Sequence, residues 1–555
     1  MKLSRATRWL LAIAFACAIF WGCNRKHQAD EATVTIAIEG DVLSFNPLFT
    51  DDLVSAEIAQ LLFPRLVEPE FDYTRGLLSF SPFLASSWEF SRDSSEITFH
   101  LRRDAVWSDG VRVTARDVQF SFELYADTVV ASVRQGVTQH LRRDRGRVNV
   151  ATSVVPTNDS TIVFRFEKAA ATHLFDLGVP LIPHHVLDTV PRAHLRSHRF
   201  NTSPITSGPF WLERRVPLQQ IVLRANRNGW CGITPKVARL VFKVLPEHRT
   251  RIAQLASGEV DLVTGLRLED AEPLSREERV ALVSTVGRDY DFIGWNNIDP
   301  QAYRASQGKV ITPHPLFGSK NVRRALTMAI DRTAIVRAYL GKHGQEAFGG
   351  ISPLFAWAYN DTLKPLPFDP QRAVRLLEME GWHDADGDGV LDKAGKKFAF
   401  TLKIASGNQL RDVIATVVQQ QLKNVKIDMN IERVERSTFW NDLIERRYDA
   451  WIAGFRLPLQ LQLDVWWHSD LQRSPFNLVG FRHPRVDEIL ERVRSLNRQE
   501  DGAELWREFQ ALVHDEQPYT FLFWISDLVA VNKRVKGTHI GIFGATHKAW
   551  EWYVE

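Results

Sequence analysis

The chain has 555 residues, more than one hydrophobic core usually organises, so two or three domains are expected. Hydrophobic residues make up 45% and charged residues 24%, with a formal net charge of +3, which is typical of an ordinary soluble globular protein. Lys and Arg are mixed with Asp and Glu throughout, so the basic surface of a nucleic-acid-binding protein is excluded and no such partner is expected.

The first element is a leader. Lys2, Arg5 and Arg8 precede the dozen apolar residues WLLAIAFACAIF, a run too short to span a bilayer as a mature helix and typical of an export signal. The following WGC resembles a bacterial lipobox, which implies removal of residues 1–22 and lipidation of Cys23. A plain export signal and an uncleaved anchor remain alternatives.

Three cysteines are present, at positions 17, 23 and 231. Cys17 lies within the leader and Cys23 would carry lipid, so Cys231 has no partner for an internal disulfide. No base or low-pKa signature accompanies Cys231, and we therefore expect an inert thiol.

The segments after the leader predict strands and then a helix. TVTIAIEGDVLSFNP (33–47) begins with strand-like alternation, and Ile97, Phe99 and Leu101 alternate in the same way. Thr114 and Asp117 resemble a capping box at the start of a helix. We expect these elements to form the structural framework of the protein.

Strands and helices alternate in the second half of the chain. LVFKVL (240–245), FAFTLKI (398–404) and KIDMNI (426–431) have strand patterns, whereas residues 320–338 have one apolar helical stripe behind a cap at Ser319. This alternation predicts α/β lobes.

Ordered motifs identify a family. The run WEFSRD, FHLR and WSDGVRVTARDVQFSFE (88–123) resembles the signature of family 5 extracytoplasmic solute-binding proteins, the peptide-binding components of ABC importers. The resemblance continues in family order through NRNGWCGITPK (226–236), VRRALTMAIDR (322–332), RRYDAWIAGF (446–455) and NLVGFRHPRVDEIL (477–490).

The resemblance implies an α/β clamp of the periplasmic-binding-protein kind, type II-like, with two lobes and an additional domain inserted in the first. The expected parts are lobe I at 30–71, 200–293 and 520–555, the extra domain at 72–199, and lobe II at 294–519. The solute is expected between the lobes, where closure buries it.

The implied function is capture of a peptide or peptide-sized solute and delivery to the permease subunits of an ABC importer. The protein is expected to be exported, held by its lipid at the outer side of the cytoplasmic membrane or in the periplasm, monomeric and without a cofactor. The same fold binding an oligosaccharide, a metal chelate or an anionic compound remains an alternative, as does service to a signalling receptor.

Catalysis is not expected. The sequence contains no G-x-S-x-G, H-E-x-x-H, C-x-x-C or phosphate-binding glycine motif. A lipid-anchored hydrolase is therefore the least favoured alternative.

One acidic loop is a weak calcium candidate. In DADGDGVLD, Asp384, Asp386, Asp388 and Asp392 imitate the first positions of a calcium-binding loop. The twelfth position is Gly395, so the bidentate glutamate is absent, and Asp-Gly turns between a helix and a strand explain the stretch equally well.

The segment GFRLPLQLQLDVWWHSD (454–470) carries the main prediction for the binding site. In relatives that bind peptides, the fourth residue after the glycine that corresponds to Gly454 is an aspartate, which pairs with the peptide's α-amino group. In this chain that position is Pro458. Asp464 is the nearest substitute, and the alternative is that it caps a helix beginning at Val465.

Other residues of this segment are expected to contact the solute. Trp466 and Trp467 offer stacking or cation-π faces, and Arg456 would favour a carboxylate or another anion. The remaining expected ligand contacts are Leu43, Phe45, Trp295 and Phe455.

Overall fold

The structure is a computed structural model that describes residues 32–168, 173–228 and 230–555. The leader and Cys23 lie outside the described residues. Within these ranges, no helix combines the length and the apolar character needed to cross a bilayer.

One eleven-stranded mixed sheet runs through the described part of the molecule. Its strands, in spatial order, are Phe210–Val216, Gln220–Ala225, Arg239–Val244, Thr33–Ile38, Leu262–Val263, Tyr519–Asn532, Val280–Trp295, Ala450–Arg456, Ala399–Ala405 and Asp428–Val434, and Gly344–Glu346 pairs with Tyr519–Asn532.

Two long strands join the halves of this sheet. Val280–Trp295 and Tyr519–Asn532 pair antiparallel, from Val280 opposite Asn532 to Gly294 opposite Tyr519. One end of the pair lies beside Leu262–Val263, and the other end beside Ala450–Arg456. We call them the hinge strands because they connect the two halves of the sheet. Their register is interrupted between Thr285 and Asp289.

A separate four-stranded antiparallel sheet lies within residues 72–199. Its strands, in spatial order, are Ala85–Phe90, Glu96–Leu101, Thr161–Arg165 and Val154–Asn158. Two-stranded antiparallel sheets are formed by Val67–Asp72 with Leu77–Pro82, Arg143–Asp144 with Arg147–Val148, Asp392–Lys393 with Lys396–Lys397, and Val535–Lys536 with Tyr553–Val554.

Helices cover the sheets. The α-helices are Leu53–Leu62, Ala115–Ala126, Val150–Ser153, His173–Leu177, His184–Leu187, His248–Ser257, Leu268–Ser275, Pro300–Ala305, Lys320–Met328, Arg332–Tyr339, Pro370–Met379, Gln409–Lys423, Arg436–Ile444, Asp464–Trp467, Pro484–Arg494 and Ala503–Glu516. Short 3-10 helices are Gln135–Thr138, Arg192–Ser197, Arg199–Asn201, Gly341–His343, Gln499–Gly502 and Ala549–Glu551.

The apolar side chains form separate cores on the two sides of the hinge strands. One core contains side chains from both ends of the described chain, among them Val34 and Trp552, and it includes Phe99 and Phe164 of the four-stranded sheet. The extra domain therefore shares its core with the lobe in which it is inserted. Two further cores lie within the second lobe and meet the hinge strands through Ile293 and Phe292.

The structure confirms most of the predicted elements. Glu96–Leu101 alternates as predicted, and the Asp117 carboxylate accepts a hydrogen bond from the Thr114 backbone N–H at 2.7 Å. The single helix predicted over 320–338 is wrong. The chain breaks there because Asp331 caps a second helix, its carboxylate accepting from the Ala334 N–H at 2.8 Å.

Candidate ligand-binding site

The extra domain and the second lobe contact each other in this conformation. At Gly76, in the turn of the Val67–Pro82 hairpin, an added Cβ would lie 2.3 Å from the Ala356 nitrogen and 2.5 Å from the Leu354 carbonyl oxygen. The Trp357 N–H donates to the carbonyl of Arg75 at 3.1 Å. The clamp is therefore closed along this edge.

The segment 454–470 leaves the sheet next to a hinge strand. The Leu457 N–H donates to the Arg288 carbonyl at 2.9 Å, and Arg288 Nη1 donates back to the Leu457 carbonyl at 2.6 Å. Leu461 then takes a left-handed backbone conformation with φ +48° before the short helix Asp464–Trp467 begins. This path turns residues 460–464 toward the extra domain.

A narrow cavity of about 40 Å³, with room for a few water-sized groups, lies behind this segment. Its apolar wall belongs to the second lobe, and His140 of the extra domain contributes to its polar wall. The lining residues are His140, Trp357, Gln460, Leu461, Gln462, Leu463, Asp464, Leu490, Val493, Arg494, Leu496, Gln499 and Trp506. The lining, mostly apolar with a few convergent polar groups, is of the kind found in small-molecule sites, but the volume is well below the roughly 300–1,000 Å³ of such sites.

Asp464 is the acid of segment 454–470 that lines this cavity. Its side chain is 25% exposed and lies 3.8 Å from Arg494, which is 54% exposed. Burial raises the pKa of Asp464, while Arg494 opposes that change. The residue is the first of the helix and Leu463 is the cap, so the prediction that Asp464 caps a helix starting at Val465 is wrong.

Gln460 also faces a second cavity, of about 220 Å³, on the side of the extra domain. Asp176, which is 9% exposed, accepts a hydrogen bond from the Gln460 side chain across this contact. Burial raises the pKa of Asp176 to about 7, and the hydrogen bond offsets only part of that rise. An acid of the extra domain thus lies against the segment that carries Asp464.

Phe455 and Trp466 belong to an aromatic cluster at the other side of the segment. Their ring centroids are 6.2 Å apart, and Phe455 lies 5.1 Å from Phe292 of a hinge strand. Trp466 also stacks on Phe476 at 6.1 Å. Both side chains are half-buried, so part of each ring remains available for contact.

Three of the expected ligand contacts are fully covered by protein. Phe45 and Trp295 are 0% exposed and Trp467 is 1% exposed. Trp295 donates its Nε1–H to Thr520 Oγ1 at 2.9 Å, inside the second lobe. The structure places these side chains in the cores rather than on a cavity wall, while Leu43 is 83% exposed at the surface.

Arg456 already has acidic partners. Its guanidinium donates to Asp289 Oδ2 at 3.0 Å and to Asp527 Oδ1 at 2.8 Å, and both acids are on hinge strands. Arg456 therefore bridges the two hinge strands through partly exposed ion pairs, and it does not line the cavity behind segment 454–470.

Lysines neutralise the acidic loop. Carboxylate oxygens of Asp384, Asp386 and Asp388 come within 4.8 Å of one another, but Lys397 Nζ lies 2.5 Å from Asp386 and 2.9 Å from Asp388. Lys426 Nζ lies 2.8 Å from Asp384, and Asp392 accepts from the backbone N–H of residue 385 at 3.1 Å. These ammonium groups supply the positive charge that calcium would bring.

Cys231 fits the expectation of an inert thiol. It is buried, and burial raises its pKa to about 12. Since the thiolate is the reactive form, burial that keeps this thiol protonated at neutral pH disfavours a nucleophilic role.

Sequence reasoning missed several polar residues at the closed edge. His140, Asp176, Gln460 and Gln499 come from four separate stretches of the chain, and none stands in a recognisable motif. Gln460 and Gln462 alternate with leucines within segment 454–470, and this polar alternation was the available signal.

Two halves of one sheet joined by two hinge strands, with an extra domain that contacts the second lobe, are the architecture of a solute-binding clamp. Residues 79–458 match the model for bacterial extracellular solute-binding proteins, family 5. The chain belongs to that family; it is a substrate-binding protein of ABC transporters and not an enzyme.

Curated relatives match along nearly the whole chain. Oligopeptide-binding protein AppA of Bacillus subtilis is 28% identical over 97% of this chain and 96% of its own length. Heme-binding protein A of Haemophilus influenzae is 25% identical over 96% of this chain and 97% of its own length. A solved structure of Bacillus subtilis AppA with a nonapeptide is 25% identical, has a TM-score of 0.71 and covers 94% of this chain and 99% of the solved chain.

Proposed function

We propose that this protein captures a peptide, or a solute of peptide size, between its lobes and delivers it to the permease subunits of an ABC importer. The observation that supports this most is the family match over residues 79–458, and the lining behind segment 454–470, which combines leucine side chains with Asp464 and three glutamine side chains, agrees with it. Apolar walls suit peptide side chains, while the carboxylate and amides suit a peptide's terminus and backbone.

The relatives support the same class of solute. One curated relative is named an oligopeptide-binding protein, and its solved structure contains a nonapeptide. A non-peptide solute is the second candidate, because another relative of similar length is named a heme-binding protein.

Native mass spectrometry of protein purified without refolding tests the proposal. We expect a bound species that released-ligand sequencing identifies as a peptide, since a closed clamp retains its solute. As a control, the same protein is unfolded in guanidinium, dialysed and refolded, which should remove the extra mass. A porphyrin absorbance band would favour the second candidate, and a ligand-free protein that also ignores peptide libraries would contradict both.

We further propose the parts of the clamp and its attachment. Lobe I consists of 30–71, 200–293 and 520–555, the extra domain of 72–199, and lobe II of 294–519, with the monomer as the working unit. Cys23 is proposed to be lipidated, which would hold the exported protein at a membrane surface.

A substitution tests the attachment. Cys23→Ala should release a soluble exported form or leave an unprocessed precursor, with solute binding by the folded domains unchanged. Cys231→Ala is the matched control, because this buried thiol would remain in the mature protein. An unaltered membrane fraction and mature mass in the Cys23→Ala protein would contradict lipidation.

A further inference from the structure

A tight turn near the C-terminus carries two apolar residues between two glycines. The backbones of Gly541 and Gly544 exchange two N–H to carbonyl hydrogen bonds, of 3.4 and 3.0 Å, so Ile542 and Phe543 lie at the tip of the turn. Gly544 has φ +107°, a conformation that favours glycine. We call this four-residue turn (541–544) the finger.

The chain that follows the finger is fixed in the first lobe. Ala545, Ala549 and Trp552 are buried in the core that contains Val34. The segment 545–552 therefore forms the base of the finger, and it cannot leave the first lobe without exposing apolar side chains to water.

Consecutive residues of the base contact different acids of the first lobe. Thr546 donates its backbone N–H and its hydroxyl to Glu57 Oε2, at 3.1 and 2.7 Å. His547 Nδ1 lies 3.3 Å from Glu68 Oε1. Glu57 and Glu68 are 8% and 2% exposed, and loss of these contacts would leave buried acids with fewer partners. These polar contacts add to the rigidity of the base.

The tip of the finger belongs to a core of the second lobe. Ile542 is 7% exposed and lies in the core that contains Phe292, and Phe543 is half-buried against the same core. The other buried members of this core that the structure describes all lie between Tyr290 and Trp524. The finger therefore reaches from the first lobe into the second.

A hairpin turn supports the finger at the closed edge. The Ile542 N–H donates to the Tyr73 hydroxyl at 3.1 Å, and a Cβ added at Gly541 would lie 1.9 Å from that oxygen. Tyr73 is two residues from Arg75, whose carbonyl accepts from the Trp357 N–H of the second lobe at 3.1 Å. The finger and this contact between the lobes thus lie close together.

We propose that the finger is an intramolecular latch, in which Ile542 and Phe543 hold the clamp closed by packing against the core of the second lobe. Because the base is fixed in the first lobe, opening the clamp would draw both side chains out of that core and expose them to water. The latch thus stabilises the closed clamp independently of solute, and a solute would enter only when the latch opens.

Hydrogen exchange of one backbone amide measures the latch. The Trp357 N–H is bonded across the closed edge, so its exchange rate reports opening of the clamp. Exchange is followed by mass spectrometry with electron-transfer fragmentation, on protein that has been unfolded in guanidinium, dialysed and refolded to remove solute. We expect Trp357 to exchange at least ~10-fold faster in the double variant Ile542→Ala, Phe543→Ala than in wild-type protein. Leu53→Ala, at a residue of the first lobe that is 59% exposed, should leave the rate unchanged.

A second amide separates opening from a loss of overall stability. The Asn297 N–H donates to the Val479 carbonyl at 2.8 Å within the second lobe, and its exchange should not change in the double variant. Phe543→Leu, which keeps an apolar tip, should retain slow exchange at Trp357. If circular dichroism shows that the double variant is unfolded, Phe543→Ala alone should give a smaller acceleration at Trp357.

Three results would overturn the latch. The first is an unchanged Trp357 rate in the folded variants, and the second is a Trp357 amide that already exchanges without protection in wild-type protein. The third is equal acceleration at Trp357 and Asn297, which would make Ile542 and Phe543 ordinary core residues. Each result concerns the protein without solute, so the proposed function would stand in all three cases.

Discussion

Asp291 and Arg411 form a buried ion pair that ties a hinge strand to the second lobe. Arg411 Nε donates to Asp291 Oδ2 at 2.8 Å, and Nη2 donates to Oδ1 at 2.7 Å. The side chains are 7% and 17% exposed. Two parallel hydrogen bonds fix the helix Gln409–Lys423 against the strand Val280–Trp295, beside the start of segment 454–470.

Arg411→Ala should destabilise the protein strongly. The substitution leaves the Asp291 carboxylate buried without a counter-charge, which costs about 3–5 kcal/mol of unfolding free energy. Urea denaturation followed by tryptophan fluorescence measures the change.

Arg433→Ala is the matched control for Arg411→Ala. Arg433 pairs with Asp412 at 2.6 Å but is 54% exposed, so its removal should cost less than about 1 kcal/mol. Equal losses for the two variants would show that the Asp291 pair has no special role at the hinge.

Gly454→Ala should disrupt the Asp291–Arg411 ion pair from the neighbouring strand Ala450–Arg456. An added Cβ would lie 2.1 Å from Asp291 Oδ1 and 2.6 Å from Arg411 Nη2, distances that force the pair apart. We expect a loss of about 3 kcal/mol or more, from overpacking and from disruption of the ion pair.

Gly349→Ala provides the comparison. Its added Cβ would meet nothing closer than Gln510 Cγ at 3.8 Å, which is an ordinary contact, and we expect a change within about 1 kcal/mol. A Gly454→Ala protein as stable as Gly349→Ala would contradict the importance of close backbone approach at position 454.

The local elements were predictable because their signals are local. Two examples depend only on neighbours a few residues away, namely the burial alternation of Ile97, Phe99 and Leu101 and the capping contact between Asp117 and Thr114. The structure has both features. The family motifs likewise predicted the clamp, since they fix the order of many such elements.

The candidate site was less predictable because side-chain direction depends on tertiary packing. Trp466 and Trp467 are adjacent, yet one is half-buried and the other is enclosed by Phe481, Phe509, Tyr519 and Phe521. The partners of Arg456 come from both hinge strands, more than 70 residues away along the chain in either direction. No spacing rule relates Asp176 to Gln460, because the contact exists only between separately folded parts.

Asp176→Asn should alter stability in a pH-dependent way. The pKa of this carboxyl is raised by burial to about 7 in the folded protein, against about 3.9 in an unfolded chain. Well below pH 4 both states are protonated and the acid has no effect, whereas above pH 7 folding must bury a charge, which costs on the order of 4 kcal/mol. The difference in melting midpoint between Asp176→Asn and ligand-free wild-type protein should therefore grow in favour of the variant between pH 4 and pH 8.

The comparison between variant and wild-type protein cancels the titration of other groups, such as His547, whose pKa is lowered by burial. A constant difference across this pH range would show that Asp176 is accessible to water in the ligand-free protein.

Substitution of the adjacent tryptophans should separate packing from recognition. Trp467 is 1% exposed, and its ring lies over Gly350, where an added Cβ would be 2.8 Å from Cζ2. Trp467→Ala therefore opens a cavity in the core and should cost about 3–5 kcal/mol of unfolding free energy.

Trp466 is half-buried against Phe455 and Phe476, so Trp466→Ala should cost less than about 2 kcal/mol while weakening solute binding through loss of a stacking face. Urea denaturation gives the stability of each variant, and titration of the folded protein with the released solute gives its affinity. Wild-type affinity in Trp466→Ala would remove this ring from the binding surface, and a Trp467→Ala protein of nearly wild-type stability would contradict its place in the core.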